Sequence, residues 1–346
     1  MKNLKIDCFN PFFSHIYVET SVWNHPRTKA VLAKFPSAKI IKISHYKDVF
    51  CRARQSCVLQ RHSQNLILAK KEGTLVYQGA KVCQSFGNEF FYYTSCMMNC
   101  IYDCEYCYLK LMYPSSNIVI FVNIEDIFAQ LEQMLAVHPL YVCVSYDTDL
   151  LAMEQVMGYA KEWCRFAARQ AGRLNIEIRT KCANQKYFQN QKYFMKRKPL
   201  SDVIYAFTLS PQEIIEAYEK YTPSFTQRIE CAKEAVRMGF SVRLCFDPMI
   251  YVNGWQRCYG AMLDKIFQCM DMEKLVDVSV GTFRISQDYL KKMRRQEPDS
   301  AIAWFPYQND QGVYHYPDRL MKQMECFLTE RLEKYLPKEK IFLWKD

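Results

Sequence analysis

From residue 117 to residue 285, short apolar runs alternate with longer amphipathic stretches. NIVIFVN (117–123), LYVCVSY (140–146), LNIEIRTK (174–181), VIYAFTLS (203–210), SVRLCFDPMI (241–250) and VDVSVGTFRI (276–285) have the length and apolar content of buried strands. Between them, IEDIFAQLEQMLAV (124–137), LLAMEQVMGYAKEWCRFAARQ (150–170) and FTQRIECAKEAVRMGF (225–240) repeat apolar residues at helical spacing. Another helix is expected to start near Pro211, a residue suited to a first turn. Strands alternating with helices predict an α/β fold with a parallel sheet and right-handed crossovers. About six repeats predict an open, partial (β/α)6 barrel rather than a closed eight-fold one. In such folds chemistry gathers where strands end, which points to Asp147–Asp149, Lys181, Thr208–Ser210 and Asp247–Pro248. Residues 1–90 read as a small N-terminal α/β domain and 91–299 as the barrel. Residues 300–346, with a helix near 318–335, read as a cap.

The chain has 346 residues, half of them hydrophobic, enough for a large core. Sixteen cysteines is a high count. A secreted disulfide scaffold would be short and would follow a leader with an apolar centre. MKNLKIDCFNPFFSHIYVE is broken by polar residues, and no stretch approaches the eighteen apolar residues of a membrane span. The thiols are therefore expected to be reduced, in the cytoplasm, or to bind metal. The net charge of +10 suits a polyanionic partner without requiring one. Lys196-Arg197-Lys198 and Lys291-Lys292-Met293-Arg294-Arg295 are the candidate phosphate contacts. Trp255, Trp304 and Tyr307 are candidates for stacking on bases, although such rings also fill cores.

Residues 96–109 read CMMNCIYDCEYCYL. Thiolates hold zinc or iron–sulfur clusters. A four-cysteine zinc site usually draws pairs from distant segments, and no second CxxC occurs here. Cys100-x3-Cys104-x2-Cys107 offers three ligands. A 4Fe-4S cluster held by three thiolates leaves one iron open, the arrangement by which enzymes bind and cleave S-adenosylmethionine. Tyr106, beside the last thiol, is placed to pack on adenine. Cys96 stands outside the triplet, as a neighbouring thiol or an ordinary buried residue.

CIYDCEYCYL with SNIVIFVNIEDIF, and TPSFTQRIECAKEAVRMGFSVRLCFDPMIYVNGWQR (222–257), resemble the spore photoproduct lyase family of radical S-adenosylmethionine DNA-repair enzymes. In the second segment the likeness includes Gly254, Trp255 and Arg257, and IYVETSVWNHPRTKAVLAKF is similar to the family's N-terminal domain. The resemblance implies a radical SAM partial barrel with Cys100, Cys104 and Cys107 as cluster ligands. It implies Tyr106 near the cofactor and Tyr108 in a radical relay. It also implies Lys181 at the cofactor carboxylate, where a cation is needed in a dry site, with Thr148 and Thr208 touching the cofactor. Two departures stand out. The family's hydrogen-donating cysteine falls at Tyr146 in Tyr146-Asp147-Thr148-Asp149, so the donor is Tyr146, Tyr108 or the upstream Cys143. The segment MIYVN (249–253) also lacks charged residues expected at the lesion pocket.

The resemblance implies a lyase that reverses a cross-linked thymine dimer in DNA through a 5′-deoxyadenosyl radical. Damaged bases are flipped most easily from a duplex. Ferredoxin or flavodoxin is the expected electron donor. The alternatives are a related radical enzyme acting on a peptide or a modified nucleoside, and a non-catalytic iron–sulfur protein that binds nucleic acid.

Overall fold

The structure is a computed structural model and describes residues 12–79, 83–170, 172–190 and 200–344. The chain divides into two compact units. Unit 1 comprises Met1–Asp103 and Met112–Thr180, and unit 2 comprises Cys104–Leu111 and Lys181–Asp346.

Unit 1 contains strands β1 (His15–Glu19), β2 (Lys39–Ile43), β3 (Leu66–Ala69), β4 (Val76–Gln78), β5 (Phe91–Thr94), β6 (Met97–Met98), β7 (Ile118–Phe121), β8 (Leu140–Cys143) and β9 (Leu174–Thr180). One sheet runs β2-β1-β3-β7-β6. Its first four strands are parallel, and β6 is antiparallel to β7. Every residue of β3 and β7 is buried, as a continuous apolar run in a covered parallel strand requires. Thus the first strand of the alternating series, at 117–123, lies beside an N-terminal strand. Val49, Phe50, Ile67, Ala69, Val119 and Phe121 form one core of this sheet. A second array runs β4-β5-β8-β9, antiparallel at β4–β5 and otherwise parallel.

The single helix expected over 150–170 is two, Glu154–Met157 and Tyr159–Arg169. Gly158 between them has φ +71°. A left-handed residue breaks the helical hydrogen-bond ladder, and glycine adopts it without a Cβ clash. The Glu154 carboxylate then accepts the N–H groups of Ala160 (2.8 Å) and Lys161 (3.3 Å), serving the start of the second helix.

In unit 2, β10 (Val203–Thr208), β11 (Ser241–Met249), β12 (Asp277–Thr282) and a later β16 (Ile341–Leu343) form a parallel array in that order. The strand expected over 276–285 ends at Thr282. β13 (Arg284–Ser286) instead pairs antiparallel with β15 (Val313–His315), which also pairs with β14 (Gln308–Asp310). Helix Gln212–Tyr218 begins directly after Pro211. Helix Phe225–Arg237 starts at a reciprocal cap of Ser224 and Gln227. Gly254 takes φ +75° immediately before helix Trp255–Cys269, and helix Asp318–Leu332 occupies the expected C-terminal position. No sheet of the described residues closes on itself, in keeping with an open partial barrel. No helix among them is long and apolar enough to cross a membrane.

Candidate active site

Unit 2 carries a buried charged cluster beside the motif cysteine Cys104. Lys181, just beyond the last strand of unit 1 in sequence, lies with its Nζ 3.4 Å from Cys104 Sγ and donates to Tyr106 Oη at 2.8 Å. Its ammonium also sits 4.7 Å from the centre of the Tyr106 ring. Glu219 lies 3.4 Å from Lys181 and 2.5 Å from Arg228 Nη2. It also accepts from Ser210 Oγ at 2.8 Å and from the Tyr106 hydroxyl. Arg228 is fully buried and adds hydrogen bonds to Pro223 O, Thr208 O and Thr222 Oγ1.

The charge states follow from this packing. Burial alone would raise the Glu219 carboxyl, but Lys181 and Arg228 outweigh it and hold it at about 2. Burial would lower the Lys181 ammonium, and Cys104, Glu219 and Tyr106 together hold it above the ordinary lysine range. Burial pushes the Cys104 thiol up to about 12, against the pull of Lys181. Tyr106 is raised by burial and by Glu219.

The three motif cysteines differ in setting. Cys104 is buried, whereas Cys100 and Cys107 are half-buried. Cys100 Sγ accepts from Tyr102 N at 3.4 Å, and Cys107 N donates to Cys104 O at 3.1 Å. Among the described residues no disulfide forms. Nor are three Cys, His, Asp or Glu side chains drawn together as a metal would require. The donor set nevertheless fits an iron–sulfur cluster in kind, being three soft thiols within eight residues. In unit 1 the buried Thr148 Oγ1 has no hydrogen-bond partner among the described residues. Such a group costs about 1–3 kcal/mol unless something meets it. Thr208 is also buried, at the end of β10.

Unit 1 places the remaining candidates. Tyr146 follows β8, and its hydroxyl is 3.5 Å from Cys83 Sγ. Its ring stacks on Tyr93 at 4.1 Å, and Tyr93 stacks on Tyr77 at 5.1 Å. Burial, then Cys83, raises the Tyr146 phenol well above its ordinary range. Asp147 accepts from Ser95 Oγ and is raised by burial, while its Oδ1 has no partner among the described residues. Asp149 accepts from Thr180 Oγ1 (2.7 Å) and Ala152 N (3.1 Å), which fixes the turn after β8. A cavity of about 510 Å3 is lined by Tyr77, Tyr93, Tyr146, Ser95, Lys71 and Asp147 among others. Cys143 is buried on β8, in register with Tyr93 and Glu177, and burial raises its thiol strongly. It does not line the cavity. Tyr108 is 36% exposed and Cys96 fully buried.

The candidate contacts to nucleic acid divide. Trp255 is buried, edge-on to Phe327, and the Tyr307 hydroxyl donates to Ile302 O, so both serve the core. Trp304 is 57% exposed beneath the Arg294 guanidinium. Lys291 and Arg295 are exposed on helix Gln287–Gln296. Lys196, Arg197 and Lys198 lie outside the described residues.

Glu219, Arg228, Lys71 and Cys83 were not singled out by sequence. A buried arginine on a helix and a glutamate in EAYEKY carry no local mark, because their partners lie elsewhere in the chain. Cys83 is read alone as a small hydrophobe.

A family model described as spore photoproduct lyase matches residues 12–344. Two curated relatives are spore photoproduct lyases. The one from Geobacillus sp. is 20% identical, over 70% of this chain and 73% of its own length. The one from Bacillus subtilis is also 20% identical, over 94% of this chain and 96% of its own. A solved structure of a substituted spore photoproduct lyase with bound AdoMet and dinucleoside spore photoproduct superposes with a TM-score of 0.79. It is 18% identical, covering 97% of this chain and 99% of that one. A spore photoproduct lyase complexed with dinucleoside spore photoproduct gives 0.78 at 19% identity, over 96% and 98%. These likenesses establish the fold, a mixed α/β partial barrel.

Proposed function

Because the chain belongs to the spore photoproduct lyase family, we propose that it is a radical S-adenosylmethionine lyase that reverses the spore photoproduct, a cross-linked thymine pair, in DNA. The observation that carries this reading is the Lys181 ammonium held beside Cys104 and Tyr106 by a buried carboxylate. A fixed cation next to a motif thiol is what an amino-acid carboxylate would need for a counter-charge in a dry site.

Cys100, Cys104 and Cys107 would hold a 4Fe-4S cluster, and Lys181, Tyr106, Thr148 and Thr208 would meet S-adenosylmethionine. When bound, the reduced cluster with S-adenosylmethionine supplies one-electron chemistry that yields a hydrogen-abstracting 5′-deoxyadenosyl radical. The chain's own part is to position and to exclude water. Glu219 divides its carboxylate between Lys181 and Arg228, so Lys181 stays charged while sharing its counter-ion. Tyr106 is fixed from two sides, by Lys181 and by Glu219, with its ring edge-on to Phe283. Burial of this cluster removes the water that would quench a radical or screen a charge. A hydrogen returns to the product radical from Tyr146, Tyr108 or Cys143. Lys291 and Arg295 would meet phosphates, and a ferredoxin or flavodoxin in the cytoplasm would supply electrons.

A second reading is a related radical enzyme acting on a peptide or a modified nucleoside. Tyr146 at the donor-cysteine position and the uncharged MIYVN segment favour it. Anaerobically reconstituted protein given S-adenosylmethionine and ultraviolet-irradiated spore-type DNA separates the two. Repaired thymine together with 5′-deoxyadenosine is expected. 5′-Deoxyadenosine with no repair would sink the lyase reading in favour of the second.

A further inference from the structure

We propose that Trp304 and helix Gln287–Gln296 of unit 2 form a surface for an unpaired strand of nucleic acid, on which the indole stacks on a base while Lys291 and Arg295 meet phosphates. That the strand is DNA rests on the reading above. Trp304 is 57% exposed, more than any other tryptophan among the described residues. A ring of that size is ordinarily buried for most of its area. The wet indole is nevertheless held in one orientation. Its Nε1 donates to Pro298 O at 2.7 Å. The Arg294 guanidinium lies 5.0 Å from the ring centre and is itself fixed by a 2.9 Å bond from Nε to Ala303 O. A cation thus takes one face of the indole, which leaves the other for a second planar group. A ring fixed beforehand loses less freedom when a base stacks on it.

The charge beside the ring is one-sided. Helix Gln287–Gln296, QDYLKKMRRQ, carries four cations against one aspartate. Lys291 stands three and four positions before Arg294 and Arg295, so the three share a helix face. Lys291 and Arg295 are exposed, and neither enters an ion pair among the described residues. The polar groups beside them anchor the helix instead. Lys292 Nζ donates to Leu111 O at 2.9 Å, Gln296 Nε2 donates to Lys110 O at 3.3 Å, and Lys110 pairs with Glu297 at 2.6 Å. These bonds fasten the helix to the segment that follows Cys107. The free cations therefore belong to the motif segment's surroundings rather than to a remote surface. A groove of cations with an aromatic platform is the chemistry that holds unpaired strands, which offer phosphates and open base faces together. Duplex DNA offers the phosphates alone, because its bases are stacked on one another, and flipping a lesion out of the duplex frees bases for such a platform.

Fluorescence anisotropy of the full-length protein with a labelled oligothymidylate, and with a labelled duplex hairpin, tests both parts. Trp304→Ala is expected to weaken oligothymidylate binding about 5- to 150-fold, the range for one base stacked on an aromatic ring, and to weaken duplex binding far less. Trp304→Phe, which keeps a smaller ring, should recover part of the loss. Lys291→Gln combined with Arg295→Gln should weaken both ligands. It should also flatten the log–log salt dependence of single-strand binding by about 1.4, since each phosphate contact contributes about 0.7. Oligothymidylate should quench tryptophan emission in the wild type, and Trp304→Ala should lose that quenching. Circular dichroism melts check that each variant is folded. Equal losses for strand and duplex in Trp304→Ala would overturn the proposal, as would unchanged binding in every variant. Intact DNA binding with slower reduction of the reconstituted cluster by flavodoxin in the Lys291→Gln, Arg295→Gln protein would assign the face to an acidic electron carrier, and overturn it too. The binding measurements need neither cluster nor lesion. Absence of repair by the wild type, with the binding losses as expected, would therefore remove the lyase reading and leave this surface standing.

Discussion

Replacing Glu219 by Gln tests the buried charge cluster directly. The Glu219 carboxyl falls from 4.5 to about 2 on folding, because Lys181 and Arg228 outweigh the burial that would raise it. At about 1.4 kcal/mol per unit this is roughly 3 kcal/mol of preference for the ionised form. The group's folded value is depressed, so this stability is present above pH 4.5 and lost as pH falls through about 2. All of it is in force at neutral pH. An independent route gives the same scale, since removing one partner of a buried ion pair costs about 3–5 kcal/mol. Glu219→Gln keeps an acceptor for Ser210 and Tyr106 but leaves Lys181 and Arg228 facing each other across a neutral amide. For a unit of roughly 150–250 residues, 3–5 kcal/mol lowers the melting temperature by about 6–20 °C. Urea unfolding at pH 7, followed by circular dichroism, measures the loss. Adding Lys181→Met to Glu219→Gln should recover part of it, because one of the two uncompensated cations is removed. A loss below about 1 kcal/mol for Glu219→Gln would show that the pairing contributes little beyond its own desolvation.

Three further outcomes are expected. Burial raises Glu154 from 4.5 to about 7, despite its bonds from Ala160 and Lys161. A raised value means stability that is full below pH 4.5 and lost as pH rises through about 7, roughly 3 kcal/mol in all; Glu154→Gln should flatten that part of the stability profile between pH 5 and pH 8. Cys100→Ala, Cys104→Ala and Cys107→Ala should each lose iron after anaerobic reconstitution, whereas Cys96→Ala should retain it; equal iron loss in all four would refute the three-ligand assignment. Gly158→Ala meets no atom within 4 Å, so only its φ of +71° resists the change; the expected cost is about 1–2 kcal/mol by chemical unfolding, with Gly158→Asn losing less.

Much of the fold was readable along the chain because its determinants are local. The strands at 140–143, 174–180, 203–208 and 241–249 stand where apolar runs stood, and Ser224 starts its helix by a rule that spans four residues. The helix break at Gly158 was also locally marked, and a periodic apolar pattern on both sides hid it. What was not readable is pairing. Nothing in NIVIFVN says that its neighbours are Leu66–Ala69 and Met97–Met98.

The same limit governs the site. The motif thiols stand out by type and spacing, and Lys181 by its place at the end of a strand, but the groups that set their charge do not. Arg228 occupies a helix whose pattern prices a charged residue as surface, yet it is fully buried. That burial is tolerable only because Glu219 is there, and Glu219 is ionised only because two cations face it. Tyr146 makes the same point, since its hydroxyl meets the Cys83 thiol, 63 positions away in sequence. Local rules fail in both places for one physical reason. A charge or a hydrogen atom is useful where water is excluded, and exclusion of water is a property of the assembled chain rather than of any segment.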